Sequence, residues 1–134
     1  MSYRIGISMR VTNAQDYDEP RDSLAHDWAK YMLNTFPESK WMSIPNIGKK
    51  AADYFKDWDL NVLFLSGGDN IGAFEIRDET ELELIRYSLD NSIPIIAFCR
   101  GMQLVHYLFS GKLKKGSNEF IENHRNNRHI VSVE

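Results

Sequence analysis

Cysteine is almost missing from this sequence. Cys99 stands alone among 134 residues, which excludes an internal disulfide framework and fits a reducing cytoplasmic setting. Long apolar runs are missing too: no stretch approaches the ~18–20 residues that a membrane-crossing helix needs. Met1-Ser2-Tyr3-Arg4 leads straight into a strand-like segment, without a signal-peptide pattern. Nor is there an excess of positive charge. With 16 basic and 19 acidic residues the formal net charge is −3, which argues against a nucleic-acid partner, since that requires a clustered basic surface. The short run Lys112-Leu113-Lys114-Lys115 reads as a solvated loop, and the tryptophans lack the basic interleaving of a base-stacking surface. No G-x-G-x-x-G is present, so the pair Gly67-Gly68 is not a dinucleotide fingerprint.

What is present describes a globular chain. Hydrophobic residues make up 43% and aromatics 12% of the sequence, enough for a core, and residues 1–134 read as one domain without repeats, low-complexity tracts or linkers. Strand-like and helix-like segments alternate, the pattern of a parallel sheet covered by helices. Tyr3 to Val11 reads as a first strand and Asn13 to Glu19 as a polar loop. Pro20 marks a helix entrance, followed by the stripe Leu24, Trp28, Tyr31, Met32 and Phe36 and closed by Pro37. Lys40 to Pro45 is a short strand, and Ile47 to Asp57 a helix.

The run Asn61 to Leu65 is continuously apolar after its first residue, as in a strand buried on both faces. A helix is expected from Asp78, with Glu81 as its capping-box partner and Leu82, Ile85 and Leu89 facing the core. Ile93 to Phe98 reads as the next buried strand. Gly101 to Ser110 reads as a helix with Leu104, Val105, Leu108 and Phe109 inward, and His129 to Glu134 as a further strand.

Chemistry concentrates in Pro94-Ile95-Ile96-Ala97-Phe98-Cys99-Arg100-Gly101-Met102-Gln103. A strand enters Cys99 and a helix leaves directly after it. The sulfur is thereby placed at the carboxyl edge of the sheet, where open α/β folds bind ligands. It also stands beside a helix N-terminus that favours thiolate, with Arg100 as a nearby cation. Ala97 and Gly101 are the small neighbours that a sharp strand-to-helix turn needs. An arbitrary cysteine is more often a packing residue; this turn favours a nucleophile. Ser66-Gly67-Gly68-Asp69 ends the preceding buried strand, where paired glycines let the backbone approach a ligand. Its amides, with the N–H of Arg100, form a candidate oxyanion hole.

These residues resemble the class I glutamine amidotransferases, in the branch that contains the γ-glutamyl hydrolases. Ser66-Gly67-Gly68-Asp69 is similar to that branch's oxyanion-strand motif, and Phe98-Cys99-Arg100-Gly101-Met102-Gln103 to its nucleophile motif. Ala97 departs from the glycine usual there. A narrower resemblance, to the bacterial γ-glutamyl-CDP-amidate hydrolases, rests on Ile5-Gly6-Ile7-Ser8-Met9-Arg10, on Pro20 through Trp28, and on Glu122-Asn123-His124 through His129. The expected fold is therefore three-layer α/β, flavodoxin-like, with a mostly parallel sheet between helices and without its C-terminal part. The resemblance implies a γ-glutamyl thioester on Cys99, an oxyanion held by the N–H groups of Gly68 and Arg100, and a glutamyl group contacted by Gly67 and Gln103. In these enzymes the base and its orienting acid are a histidine and a glutamate well downstream, and none of the 35 residues after Cys99 matches that closing motif.

Arg10, at the end of the first strand, is a candidate for a phosphate or carboxylate of the leaving group, or an exposed salt bridge. The substrate is then a small γ-glutamyl amide, and no cofactor, metal, membrane or nucleic acid is called for. His124 and His129 with Glu122 fit no strong zinc spacing, and His106 reads as a helix-surface residue. Two other readings stand: a glutaminase that passes ammonia to a synthase partner, and a non-catalytic, thiol-based binding or redox-sensing module. Homodimer formation is left open.

Overall fold

The computed structural model describes residues 2–125 together with Arg128, Ile130 and Ser132. The expected final strand, His129 to Glu134, lies mostly outside the described residues. Four strands form the central sheet: β1 (Arg4–Ser8), β4 (Lys40–Ile44), β5 (Val62–Leu65) and β6 (Ile95–Ala97), in the order β4-β1-β5-β6 and all parallel. Alternation along the strands sends side chains to opposite faces. Val62 and Phe64 join Ile5, Ile7 and Met32 beneath helix α1 (His26–Thr35). Leu63 and Leu65 join Phe55, Leu84, Ile85 and Leu104 on the other face, beneath α2 (Ala51–Asp57), α3 (Glu75–Asp90) and α4 (Arg100–Leu108). The fold is thus α/β, with a parallel sheet covered on both faces. Among the described residues no helix is long and apolar enough to cross a membrane.

Several local expectations are corrected. The first strand breaks at Met9, and its second half becomes β2 (Arg10–Asn13). Pro20 opens no helix; it begins β3 (Pro20–Ser23), antiparallel to β2 in a two-stranded ribbon, where the missing N–H of proline is tolerated. Helix α3 starts three residues before Asp78, at Glu75, so Glu81 is not a cap residue. Leu89 and Phe109 point to solvent rather than inward, while Leu84 is the buried apolar residue of α3 that the stripe omitted. Strand β6 is only half-buried: among the described residues it pairs with β5 alone, and Ile96 is 42% exposed. A short helix, α5 (Asn118–His124), was not expected; the Ser117 hydroxyl caps it by accepting from the Phe120 N–H.

Candidate active site

Parallel pairing brings the carboxyl ends of β1, β5 and β6 side by side, and each continues into one part of the site. The segment after β1 carries Arg10, that after β5 carries Gly67 and Gly68, and that after β6 carries Cys99. The pairing extends beyond the strand ends, since the Phe98 N–H donates to the Leu65 carbonyl at 2.9 Å.

Cys99 occupies the N-cap of α4 at φ 46°, ψ −108°, and is exposed. A positive φ is strained for a residue with a Cβ and persists only where the surroundings fix it. Three contacts do so here. Phe98 is set edge-on against Trp28, with ring centroids 4.9 Å apart, inside the aromatic cluster under α1. The Arg100 side chain is buried in ion pairs with Glu81 and Asp78. Gly101 lies so close to β5 that a Cβ there would stand 2.7 Å from the Leu65 carbonyl oxygen, which explains the glycine. The guanidinium of Arg100 is therefore committed to two carboxylates inside the protein. The sequence suggested a cation beside the sulfur; the structure engages this guanidinium with Glu81 and Asp78, and the residue itself stands at the first helical position.

The glycine loop lies against the cysteine. A side chain at Gly67 would start 3.3 Å from the Cys99 Cβ and 3.9 Å from Sγ. Gly68 has φ +83°, so its conformation favours glycine, and a Cβ on it would meet the Arg10 Cζ at 2.8 Å and push that side chain aside. Among the described residues the N–H groups of Gly67, Gly68 and Arg100 donate to no backbone acceptor outside regular elements. Arg10 is half-exposed and pairs with Asp69 at 3.1 Å. Its ribbon is tied down where Asp22 accepts from the Asn46 N–H at 2.9 Å and from Asn46 Nδ2 at 2.8 Å. Gln103, one turn beyond Cys99, donates its N–H to the Cys99 carbonyl at 3.0 Å. Its side chain borders a cleft of about 980 Å³, with Asn70, Ile71, Lys114, Lys115 and Arg125 among the other walls. The six residues singled out in the sequence thus share one sheet edge.

His106 does not join them. It lies seven residues along α4, roughly 10 Å up the helix axis, and its ring packs over Gly111. His124 stacks on Phe120 with centroids 3.9 Å apart. His129 lies outside the described residues.

What the sequence did not disclose is the charged layer beneath the loops. Arg77 and Glu81 are fully buried and paired at 3.2 Å. Glu81 also accepts from Ser8 Oγ at 2.7 Å and from Arg100, so it links the end of β1, α3 and α4. The usable signal was the spacing of Arg77 and Glu81, one helical turn apart on the same face.

Asp69 closes this layer from the loop side. Burial pushes its carboxyl upward, but the Val11 N–H, the hydrogen bond from Arg77 and the charges of Arg10 and Arg77 outweigh it and hold the group below its ordinary value of 3.8. A carboxylate lowered on folding stabilises the fold fully above its unfolded value, and that contribution is lost as the pH falls through the folded one. Asp69→Asn is accordingly expected to be less stable than the parent at neutral pH, with the gap closing below pH 3.8. Urea midpoints across that range check this; a gap independent of pH would contradict it.

The fold and this edge define an α/β protein of the class I glutamine amidotransferase-like type. Residues 59–134 match the family described as peptidase C26, and the chain belongs to that family. It is 28% identical over 120 residues to the gamma-glutamyl-CDP-amidate hydrolase of Campylobacter jejuni subsp. jejuni serotype O:2, a match covering 85% of this chain and 59% of that protein. It is also 29% identical over 126 residues to the CTP synthase of Campylobacter jejuni subsp. jejuni serotype O:6, covering 90% of this chain and 22% of the synthase. The chain therefore spans a little over half the length of that hydrolase.

Proposed function

We propose that this protein hydrolyses a γ-glutamyl amide through a thioester on Cys99. The observation that carries the reading is the exposed cysteine held at φ 46° directly against Gly67. A strained strand-to-helix turn of this kind presents a nucleophile clear of its own backbone. The thiolate of Cys99 attacks the γ-carbonyl carbon, and the carbonyl electron pair moves onto oxygen, facing the N–H groups of Gly68 and Arg100. Collapse breaks the C–N bond, and the leaving amine takes the proton that the thiol gave up. Water then cleaves the thioester, its hydroxyl going to the glutamyl carbonyl and its proton to sulfur, to release glutamate and the free thiol. Gln103 and Gly67 border the glutamyl group, and Arg10 meets an anionic part of the substrate.

A leaving group larger than ammonia is favoured by the cleft beside Gln103. At about 980 Å³ it lies at the upper end of small-molecule sites. Its walls carry Lys114, Lys115 and Arg125, which suit a phosphate-bearing group. The similarity to the gamma-glutamyl-CDP-amidate hydrolase points to the same kind of amide. A glutaminase that serves a synthase would instead leave that cleft unused.

The test is acyl-enzyme trapping. Incubation with γ-glutamyl-p-nitroanilide, followed by rapid acid quench and mass spectrometry, is expected to show one glutamyl adduct on the peptide that contains Cys99. Glutamine is expected to label it more slowly. Faster labelling by glutamine would favour the glutaminase, and a thiol that oxidises but never acylates would favour a redox-sensing module.

A further inference from the structure

We propose that Arg77 is a positioning residue for this chemistry: it presets the amides of the glycine loop by holding the carbonyl oxygens of Ser66, Gly67 and Gly68. The inference rests on the function proposed above and assigns a role to a residue that touches no substrate.

Arg77 lies on α3 and is fully buried. Its Nη2 donates to the Ser66 carbonyl at 3.1 Å and to the Gly67 carbonyl at 3.0 Å, and its Nη1 donates to the Gly68 carbonyl. Three successive carbonyls therefore converge on one planar cation. A trans peptide is rigid, and its N–H points opposite to its C=O. Drawing those three oxygens inward turns the N–H groups of Gly67, Gly68 and Asp69 outward, away from the buried guanidinium and towards the exposed side where Cys99 stands. Such a run needs positive φ at Gly68 (+83°), which glycine adopts freely, and at Asp69 (+61°), where a residue with a Cβ depends on its surroundings.

Among the described residues, no other side chain donates to those three carbonyls. The guanidinium itself is fixed in turn: Nε donates to Glu81 at 3.2 Å and Nη1 to Asp69 at 3.0 Å. Glu81 is shared with Arg100, whose own N–H is the partner donor in the oxyanion hole. A single carboxylate thus sets the spacing between the two donor segments. Lysine retains the charge at position 77 but lacks the planar fork that reaches several oxygens at once.

The experiment compares two reactions of the same sulfur in the parent protein, Arg77→Lys and Asp69→Asn. Acylation by γ-glutamyl-p-nitroanilide passes through an oxyanion; alkylation by iodoacetamide is a displacement at a saturated carbon and does not. Arg77→Lys is expected to lower the single-turnover acylation rate by roughly 10²–10³-fold, the effect of losing one oxyanion donor. Its alkylation rate and half-saturating substrate concentration should stay within about threefold of the parent. Asp69→Asn, which weakens the carboxylate's contacts with Arg77 Nη1, Arg10 and the Val11 N–H but leaves the three carbonyl contacts of Arg77 in place, should lower acylation by less, with alkylation again unchanged. Acylation that matches the parent overturns the positioning role, as does an equal fall in both reactions, the mark of general disruption. If Arg77→Lys does not fold, Asp69→Asn decides alone by the same criteria. A parent protein that is alkylated but never acylated removes the proposed function itself, whereas a parent that acylates normally beside an unaffected Arg77→Lys removes only this inference.

Discussion

Cys99→Gly is expected to yield a protein that is more stable than its parent and chemically inert. The inertness follows from loss of the sulfur: removing a nucleophile on which a covalent route depends lowers turnover by about 10⁴-fold or more. The stability follows from the backbone. Cys99 sits at φ 46°, ψ −108°, and a residue with a Cβ in such a region carries strain of order 1–3 kcal/mol. Glycine adopts that conformation without the steric penalty, although it adds freedom to the unfolded chain that offsets part of the gain. A net increase of about 1 kcal/mol is anticipated. Cys99→Ala serves as the comparison, because it removes the sulfur and keeps the Cβ. It should be equally inactive, with a midpoint close to the parent's. Chemical denaturation of the three proteins, alongside product release from γ-glutamyl-p-nitroanilide, separates the two effects. Glycine and alanine variants of equal stability would show that the turn stores no strain.

The second large effect is expected at Glu81. Glu81→Leu takes the carboxylate from two buried guanidinium groups, Arg77 and Arg100, and from the Ser8 hydroxyl. A buried ion pair adds little net stability compared with an apolar pair, yet breaking one is costly, because the remaining charge has lost its water and gained no partner. The loss should be about 3–5 kcal/mol, a large share of the ~5–15 kcal/mol by which a domain is stable. Asp78→Asn provides the control. Asp78 pairs with one guanidinium, that of Arg100, accepts from the Gly72 N–H at 2.7 Å, and keeps 18% of its side chain exposed, so a smaller loss is expected. Urea unfolding of both variants checks the ranking. Equal effects would mean that Glu81 is no more central than its neighbour.

Those two predictions divide along the line between what the sequence disclosed and what it hid. The elbow was legible because its causes are local: an apolar run, small residues around the cysteine, and a helix-forming segment immediately after it. The buried strand from Val62 to Leu65 was legible for the same reason. Glu81 was misread because Asp78-x-x-Glu81 matches a capping pattern, and nothing within four residues reveals that the helix already began at Glu75. Its partner Arg100 is 19 residues away, and Arg10 reaches Asp69 across 59. Sequence periodicity does not report contacts at that range. Pro20 was misread by the opposite error, a local preference accepted where tertiary pairing with β2 decided the outcome. For Ile96 and Phe109, the apolar pattern indicated the right elements but not which of their residues the fold leaves uncovered.

Helix α3 looks, by composition, like an element whose surface is free to vary: its segment EIRDETELELIRYSLD is rich in charge. Protein engineers commonly treat such a helix as the safe place to graft tags, recode charge or swap in idealised repeats. Here Arg77 of that helix holds the carbonyls of Ser66, Gly67 and Gly68 from behind and Glu81 ties it to Arg100, so a redesign that kept its apolar stripe and randomised the rest would strip out both the anchor of the glycine loop and a share of the stability.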